Sequence, residues 1–232
     1  MSIHQEHRQR LKKRFREEGL DNFDKRHALE LLLFYCIPRI DTAPLAQALI
    51  DHFGSFSQVL DATAEELEKV TGVGPNVSTF LTLIPAMARY YSVDKVKQGE
   101  IFNSLEKCCK YLVQKLQGRR NETVFILCMD AKCKMICCKE VGEGSVNSAS
   151  IPVRRIVEIA LGVNATTVVL AHNHPSGLAL PSGEDIQTTR RIALALDAVD
   201  ITLADHIVVA DDDYVSLVQS GYYRPGEVRV IV

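Results

Sequence analysis

His172 and His174 stand one residue apart in Leu170-Ala171-His172-Asn173-His174-Pro175-Ser176-Gly177, and that spacing is the first sign of chemistry in the chain. The apolar run Thr166 to Ala171 before them reads as a buried strand, and strand side chains alternate faces, so the two imidazoles point the same way. A loop holding Pro175, Gly177 and Pro181 leads into Ser182-Gly183-Glu184-Asp185. Ser182 suits the N-cap of a following helix. Asp185 then falls in the first turn, where the helix dipole favours a carboxylate and where it can face the histidine pair. Two imidazole nitrogens and one carboxylate oxygen form a donor set that Zn²⁺ accepts in a tetrahedron. Three protein ligands leave one vertex open for a water, whose pKa falls from about 16 to roughly 7 on the metal, and the ion can also polarise a carbonyl. His-x-His alone often arises by chance. Followed after seven residues by Ser-x-x-Asp, at a strand end leading into a capped helix, it is a much rarer string in the context a site requires.

The elements that must position these residues come from the second half of the chain. Asn103-Ser104-Leu105-Glu106 opens a helix with Leu105, Cys109, Leu112 and Leu116 on one face, and Thr123 to Met129 is a β-prone apolar run. Asp130-Ala131-Lys132 reads as the turn into a partner strand, Met135 to Val141. A helix over Val153 to Leu161 precedes the strand Thr166 to Ala171, and a helix Gly183 to Val199 and a strand Ile201 to Ala210 follow it. Asp205-His206 stands at the start of the last long strand, Ile207 to Ala210. There it fits either a group backing a ligating histidine or a turn Asp beside a half-buried His.

Residues 4 to 92 read as helices throughout, with Leu29, Leu32, Leu33 and Cys36, then Leu45, Ala48, Leu49 and Phe53, at helical spacing. Thr63-Ala64-Glu65-Glu66 has the spacing of a capping box, and a helix from Pro75 to Tyr91 follows Thr71-Gly72-Val73-Gly74. The polar stretch Ser92 to Glu100 is a linker. The expected organisation is an all-helical module over 1–92, followed over 100–232 by an α+β or α/β domain.

Bulk properties narrow the function classes. With 232 residues, 47% of them hydrophobic, the chain can bury a core, which excludes disordered and fibrous classes. A net charge of −2 provides no global positive field for nucleic acid or anionic membrane, so any DNA contact must be local. The apolar run Leu29 to Ile37 is far short of the roughly 20 residues a membrane span requires, and the first residues lack a secretory pattern, so a cytoplasmic location is expected. Seven cysteines, two adjacent pairs among them and no CxxC, read as buried reduced thiols and not as a disulfide framework or zinc knuckle.

His172 to Gly177, then Pro181-Ser182-Gly183-Glu184-Asp185, then Asp205-His206-Ile207-Val208-Val209 together resemble the RadC family, a bacterial branch of the JAB/MPN (JAMM) metallopeptidase fold. The similarity runs from about residue 100 to the end, and the helical first part is similar to the helix-hairpin-helix module of that family. The resemblance implies a JAB/MPN-like, cytidine-deaminase-like α/β domain with a mixed sheet, and a zinc-dependent peptidase or isopeptidase acting on a peptide or protein. It implies Glu122, at the head of the strand Thr123 to Met129, as general base, with Glu140, Glu143 and Glu158 as competitors. It implies a role for Ser182 in holding the tetrahedral intermediate. One departure stands out: Val153-Arg154-Arg155 replaces the usual Pro-Arg-Glu, with opposite charge at the third place.

The alternative is a DNA-associated repair or recombination factor whose zinc site is structural or vestigial. Gly72-Val73-Gly74 between two helices resembles a helix-hairpin-helix, in which glycine lets backbone N–H groups approach a phosphate. Such a contact reads no sequence and is weak and salt-sensitive unless Lys or Arg reinforces it. Lys69 is the nearest basic residue, and Arg8, Arg10, Lys12, Lys13, Arg14 and Arg16 form a basic run that could add charge.

Overall fold

A computed structural model describes residues 3–96, 99–143 and 152–226. The chain divides into two compact units, Met1–Tyr90 and Tyr91–Val232.

The first unit is helical: α1 (Ile3–Glu18), α2 (Lys25–Cys36), α3 (Ala43–Phe53), α4 (Phe56–Asp61), α5 (Ala64–Leu67) and α6, which begins at Pro75 and runs to Asp94. Its apolar stripes meet in one core around Leu29, Leu33, Leu49, Leu67 and Leu81. Asp24, Ser55 and Thr63 cap α2, α4 and α5, and Thr63 and Glu66 form the reciprocal capping box expected from their spacing. The segment expected to be a linker is helical as far as Asp94, while residues 97 and 98 lie outside the described part. Among the described residues no helix is long and apolar enough to cross a membrane.

The second unit holds α7 (Leu105–Leu116), β1 (Thr123–Met129), β2 (Met135–Glu143), α8 (Val153–Gly162), β3 (Thr167–Asn173), α9 (Gly183–Asp197), β4 (Thr202–Ala210) and β5 (Asp213–Ser216). The five strands form one mixed sheet in the order β2-β1-β3-β4-β5, with β3 and β4 parallel and the other neighbours antiparallel. Parallel β3 and β4 require a crossover, and α9 supplies it. Both sheet faces are covered, which is why β1 is buried along its whole length. Val124, Ile126, Val168, Leu170 and Val208 pack against Ile156 and Ala160 of α8 and Ile192 and Leu196 of α9. Phe125, Leu127, Val169, Ala171, Ile207 and Val209 pack against Cys109, Leu112 and Leu116 of α7.

One expectation needs correction. The last long strand begins at Thr202, so Asp205 and His206 lie inside it and not at its start. A β-bulge also interrupts the β3–β4 register, since Val168 pairs with Leu203 but Val169 pairs with Asp205. The extra residue, Ala204, reverses the alternation of β4 and turns His206 onto the face that carries Leu170 and His172.

Candidate metal centre

Strand alternation sets the first side chain of the site. Val168 and Leu170 face α8 and α9, and His172 continues their row at the end of β3. On α9, Asp185, Thr189, Ile192, Ala193 and Leu196 recur at helical spacing and are all buried. The face that packs α9 on the sheet therefore presents Asp185 to His172 and Thr189 to His206. His174 follows the strand end and stays tied to the ladder through its N–H to the Val209 carbonyl at 2.7 Å.

Three donors converge. His172 Nε2 lies 2.9 Å from His174 Nε2, Asp185 Oδ1 lies 3.4 Å from His172 Nε2, and Asp185 Oδ2 lies 3.6 Å from His174 Nε2. A tetrahedral ion with bonds of roughly 2.0–2.1 Å separates its donors by about 3.3 Å, and the three observed spacings bracket that edge. Ser182 caps α9 in a reciprocal box with Asp185: its Oγ accepts the Asp185 N–H at 3.1 Å, while its own N–H and O–H donate to Oδ2 at 2.7 and 2.6 Å. Those bonds occupy Oδ2 and leave Oδ1 as the less committed oxygen. The Ser182 hydroxyl proton points at Asp185 in this arrangement.

Proton accounting fixes the histidine tautomers. Thr189 Oγ1 donates to the Asp185 carbonyl at 2.6 Å, so at its 2.6 Å contact with His206 Nδ1 it accepts, and the imidazole proton sits on Nδ1. His206 Nε2 is then an acceptor for His172 Nδ1–H at 2.8 Å, which leaves His172 Nε2 bare. His174 Nδ1 donates to the Leu178 carbonyl at 3.0 Å and leaves its Nε2 bare as well. Two lone pairs 2.9 Å apart beside a carboxylate demand a cation or a shared proton between them, so this donor set fits a metal ion.

The electrostatics agree. Burial, with the charge of His206 adding to it, holds His172 well below the usual imidazole range, and burial lowers His206 to about 4. Burial alone would raise Asp185, but the hydrogen bond with His174, the charge of His172 and the bonds from Ser182 outweigh it and hold the carboxyl low. The Asp185 carboxylate raises His174, so that a proton competes for the Nε2 position a cation would take.

Glu122 is the fourth member. A carboxylate oxygen of Glu122 and the ring nitrogens of His172 and His174 all lie within 4.8 Å of one another, a group that could hold a metal ion. Burial pushes the Glu122 carboxyl up, the charge of His174 opposes this and that of Asp185 adds to it. The competing acids are engaged elsewhere: Glu140 and Glu143 with Arg119 at 3.1 and 4.0 Å, and Glu158 with Arg154 at 2.7 Å. Arg154 and Arg155 are exposed in the first turn of α8.

Of the pair Asp205-His206, it is His206 that backs His172, and Thr189 behind it is the member of the cluster that the sequence reading did not single out. The signal for Thr189 was its place four residues after Asp185, on the same helix face. Asp205 turns away from the site and accepts from Ser216 Oγ at 2.5 Å and from the backbone N–H groups of His206 and Val218 at 2.7 and 3.1 Å. It supports the β4–β5 end of the sheet. All seven cysteines are free, and burial pushes the thiols of Cys109 and Cys138 up to about 12, as expected of apolar packing groups.

In the helical unit Gly72 has φ +96°, a conformation that favours glycine, and Gly74 precedes the first turn of α6. Val73 packs its side chain into the helical core. Glu65, Glu66 and Glu68 precede this turn along with Lys69. Of the basic run, Arg8 donates to the carbonyls of Ile37 and Ile40 at 2.6 Å beyond the end of α2, and Arg14 donates to the Asn22 carbonyl at 2.6 Å.

Comparison with known proteins agrees with this geometry. Residues 102–222 match the family described as "RadC-like JAB domain". A UPF0758 protein of Ruegeria pomeroyi is 36% identical over 94% of this chain and 97% of its own length. A UPF0758 protein of Paraburkholderia xenovorans is 34% identical over 91% and 83%. A third, from Fusobacterium nucleatum, is 32% identical over 94% and 97%. With that extent of match, and with His172, His174 and Asp185 gathered at the end of β3, the chain belongs to the RadC-like JAB family.

Proposed function

We propose that this chain is a zinc-dependent hydrolase of peptide or isopeptide bonds, with His172, His174 and Asp185 as metal ligands and Glu122 as general base. The observation that carries the reading is the convergence of two bare Nε2 atoms and one carboxylate held ionised at the spacing of a tetrahedral edge. Zinc bound there would acidify a water and polarise the scissile carbonyl.

The residues divide the remaining tasks. His206, through its bare Nε2, holds the His172 proton on Nδ1, and the Leu178 carbonyl does the same for His174. Asp185 brings negative charge to the two imidazoles. Glu122, half-buried and raised above the ordinary carboxylate value, suits a group that takes a proton at its carboxylate and passes it to the leaving nitrogen. Ser182 would assist the developing oxyanion once its hydroxyl swings from Asp185 Oδ2. The DNA-associated reading has the positive φ of Gly72 in its favour and the acidic cluster Glu65, Glu66 and Glu68 against it.

The test is metal analysis of the purified chain followed by a screen of linear and isopeptide-linked fluorogenic peptides. We expect stoichiometric zinc in the wild type and none in the His172→Ala, His174→Ala double variant. A double variant that keeps its zinc overturns the ligand assignment, and a Glu122→Gln variant with full turnover removes Glu122 from the mechanism.

A further inference from the structure

Between the two histidines stands a residue that the proposed mechanism does not use. Asn173 belongs to the opposite row of β3, with Val169 and Ala171, and therefore faces the α7 side of the sheet. The ladder between β1 and β3 begins at the pair Val124 and His172, so residues 119–122, including Glu122, lie beyond it. Asn173 continues the ladder with its side chain. Its Oδ1 accepts the Thr123 N–H at 2.8 Å, and its Nδ2 donates to the carbonyls of Arg119 and Asn121 at 3.2 and 3.1 Å. Its acceptor and both amide hydrogens are all used. The reverse amide orientation would set NH₂ against an N–H and an oxygen against two carbonyls, so the network admits one arrangement.

We infer that Asn173 is a positioning residue: by clamping Arg119, Asn121 and Thr123 it holds Glu122 within reach of the imidazole pair. The inference rests on the proposed role of Glu122. Its physical basis is that Glu122 sits in irregular backbone, where no strand partner among the described residues fixes it, while its carboxylate must stay within a few ångströms of the two ring nitrogens. The clamp ties that backbone to the strand that bears His172, so proton carrier and ligands share one frame.

The experiment uses the full chain loaded with Co²⁺, whose d–d absorption reports the metal surroundings without any substrate. Spectra are recorded for the wild type, Glu122→Gln, Asn173→Ala and the double variant, with the Co²⁺ dissociation constant of each. We expect Asn173→Ala to move the spectrum toward that of Glu122→Gln and the double variant to match Glu122→Gln alone. Its affinity should weaken by less than about threefold, against the 10–100-fold loss usual when a ligand's own supporting group is removed. Asn173→Asp keeps the volume and the acceptor for Thr123 but sets an oxygen against two carbonyls. It should shift the spectrum the same way and serves if Asn173→Ala does not fold.

An Asn173 variant that superimposes on the wild type while Glu122→Gln differs overturns the inference and leaves the metallohydrolase reading standing. A variant that loses Co²⁺ also overturns it, because Asn173 then acts on the ligands. A wild type that binds no Co²⁺, or that is unmoved by Glu122→Gln, removes the underlying reading itself.

Discussion

Replacing Thr189 by valine preserves volume and branching and removes one hydroxyl, and the consequence is traceable atom by atom. Thr189 Oγ1 is the acceptor for His206 Nδ1–H in a buried site. Without it His206 has two choices. It can keep its proton on Nδ1 and leave a buried donor unpaired, at a cost of roughly 1–3 kcal/mol. Or it can move the proton to Nε2, which faces His172 Nδ1. His172 must then carry its own proton on Nε2, where the metal would bind. The first choice lowers stability, the second lowers metal affinity, and the smaller cost prevails. Loss of a group that orients a ligating histidine commonly weakens binding about 10–100-fold, or roughly 1.4–2.8 kcal/mol, which is comparable to the unpaired-donor cost. The expected outcome is a zinc affinity lowered by at least about tenfold in chelator competition, or a chelated protein less stable to urea by at least about 1 kcal/mol, with Thr189→Ser restoring both. A valine variant with wild-type affinity and wild-type stability refutes the tautomer argument.

Other outcomes follow from the same geometry. His206 is lowered to about 4 in the fold against roughly 6.5 when unfolded, so the unfolded chain binds more protons below pH 6.5; chelated protein should therefore lose about 2 kcal/mol from this group between pH 7 and pH 5 in urea titrations, and His206→Gln should flatten that slope. The acid limb of kcat/KM should lie above the ordinary glutamate value because burial raises Glu122, and it should disappear in Glu122→Gln, whose turnover falls by roughly 10²–10⁴-fold while zinc stays bound. Ser182→Ala removes a helix cap and should cost about 0.5–2 kcal/mol in thermal or urea unfolding, with zinc retained because the His172, His174 and Asp185 donors remain.

The order strand, His-x-His, loop, capped helix was legible because each part is local: alternation for the imidazoles, an N-cap for Ser182, a first-turn acid for Asp185. α9 and α8 end within two residues of where periodicity put them, since their buried faces are set by spacing. What lay hidden depends on neighbours distant in sequence. No pattern in Thr202 to Ala210 announces that Ala204 is an extra residue, and without that bulge His206 would face α7 and never meet His172. β5 was missed because four residues, Asp213–Ser216, are too few for a period to register. Glu122 was placed by resemblance; its competitors fell away only when Arg119 and Arg154 were seen to hold them.

The two carboxylates nearest the histidines divide by environment and not by type. Asp185 enters the site from a helix N-terminus, with Ser182 donating two hydrogen bonds to its Oδ2, and both features stabilise the charged form. A group so held cannot carry a proton near neutral pH, but it can grip a cation. Glu122 comes from a segment beyond the ladder of β1, where burial raises it and Asp185 repels its charge. That environment makes the protonated form accessible, which a proton carrier needs and a ligand does not. Exchanging the types, as Asp185→Glu with Glu122→Asp, should therefore not exchange the roles: the longer acid at 185 would still have the helix end and Ser182 to ionise it, and the shorter acid at 122 would retreat from the imidazole pair. Such a variant should keep much of its zinc and lose turnover, and one that lost its zinc would show that side-chain reach, not environment, makes Asp185 a ligand.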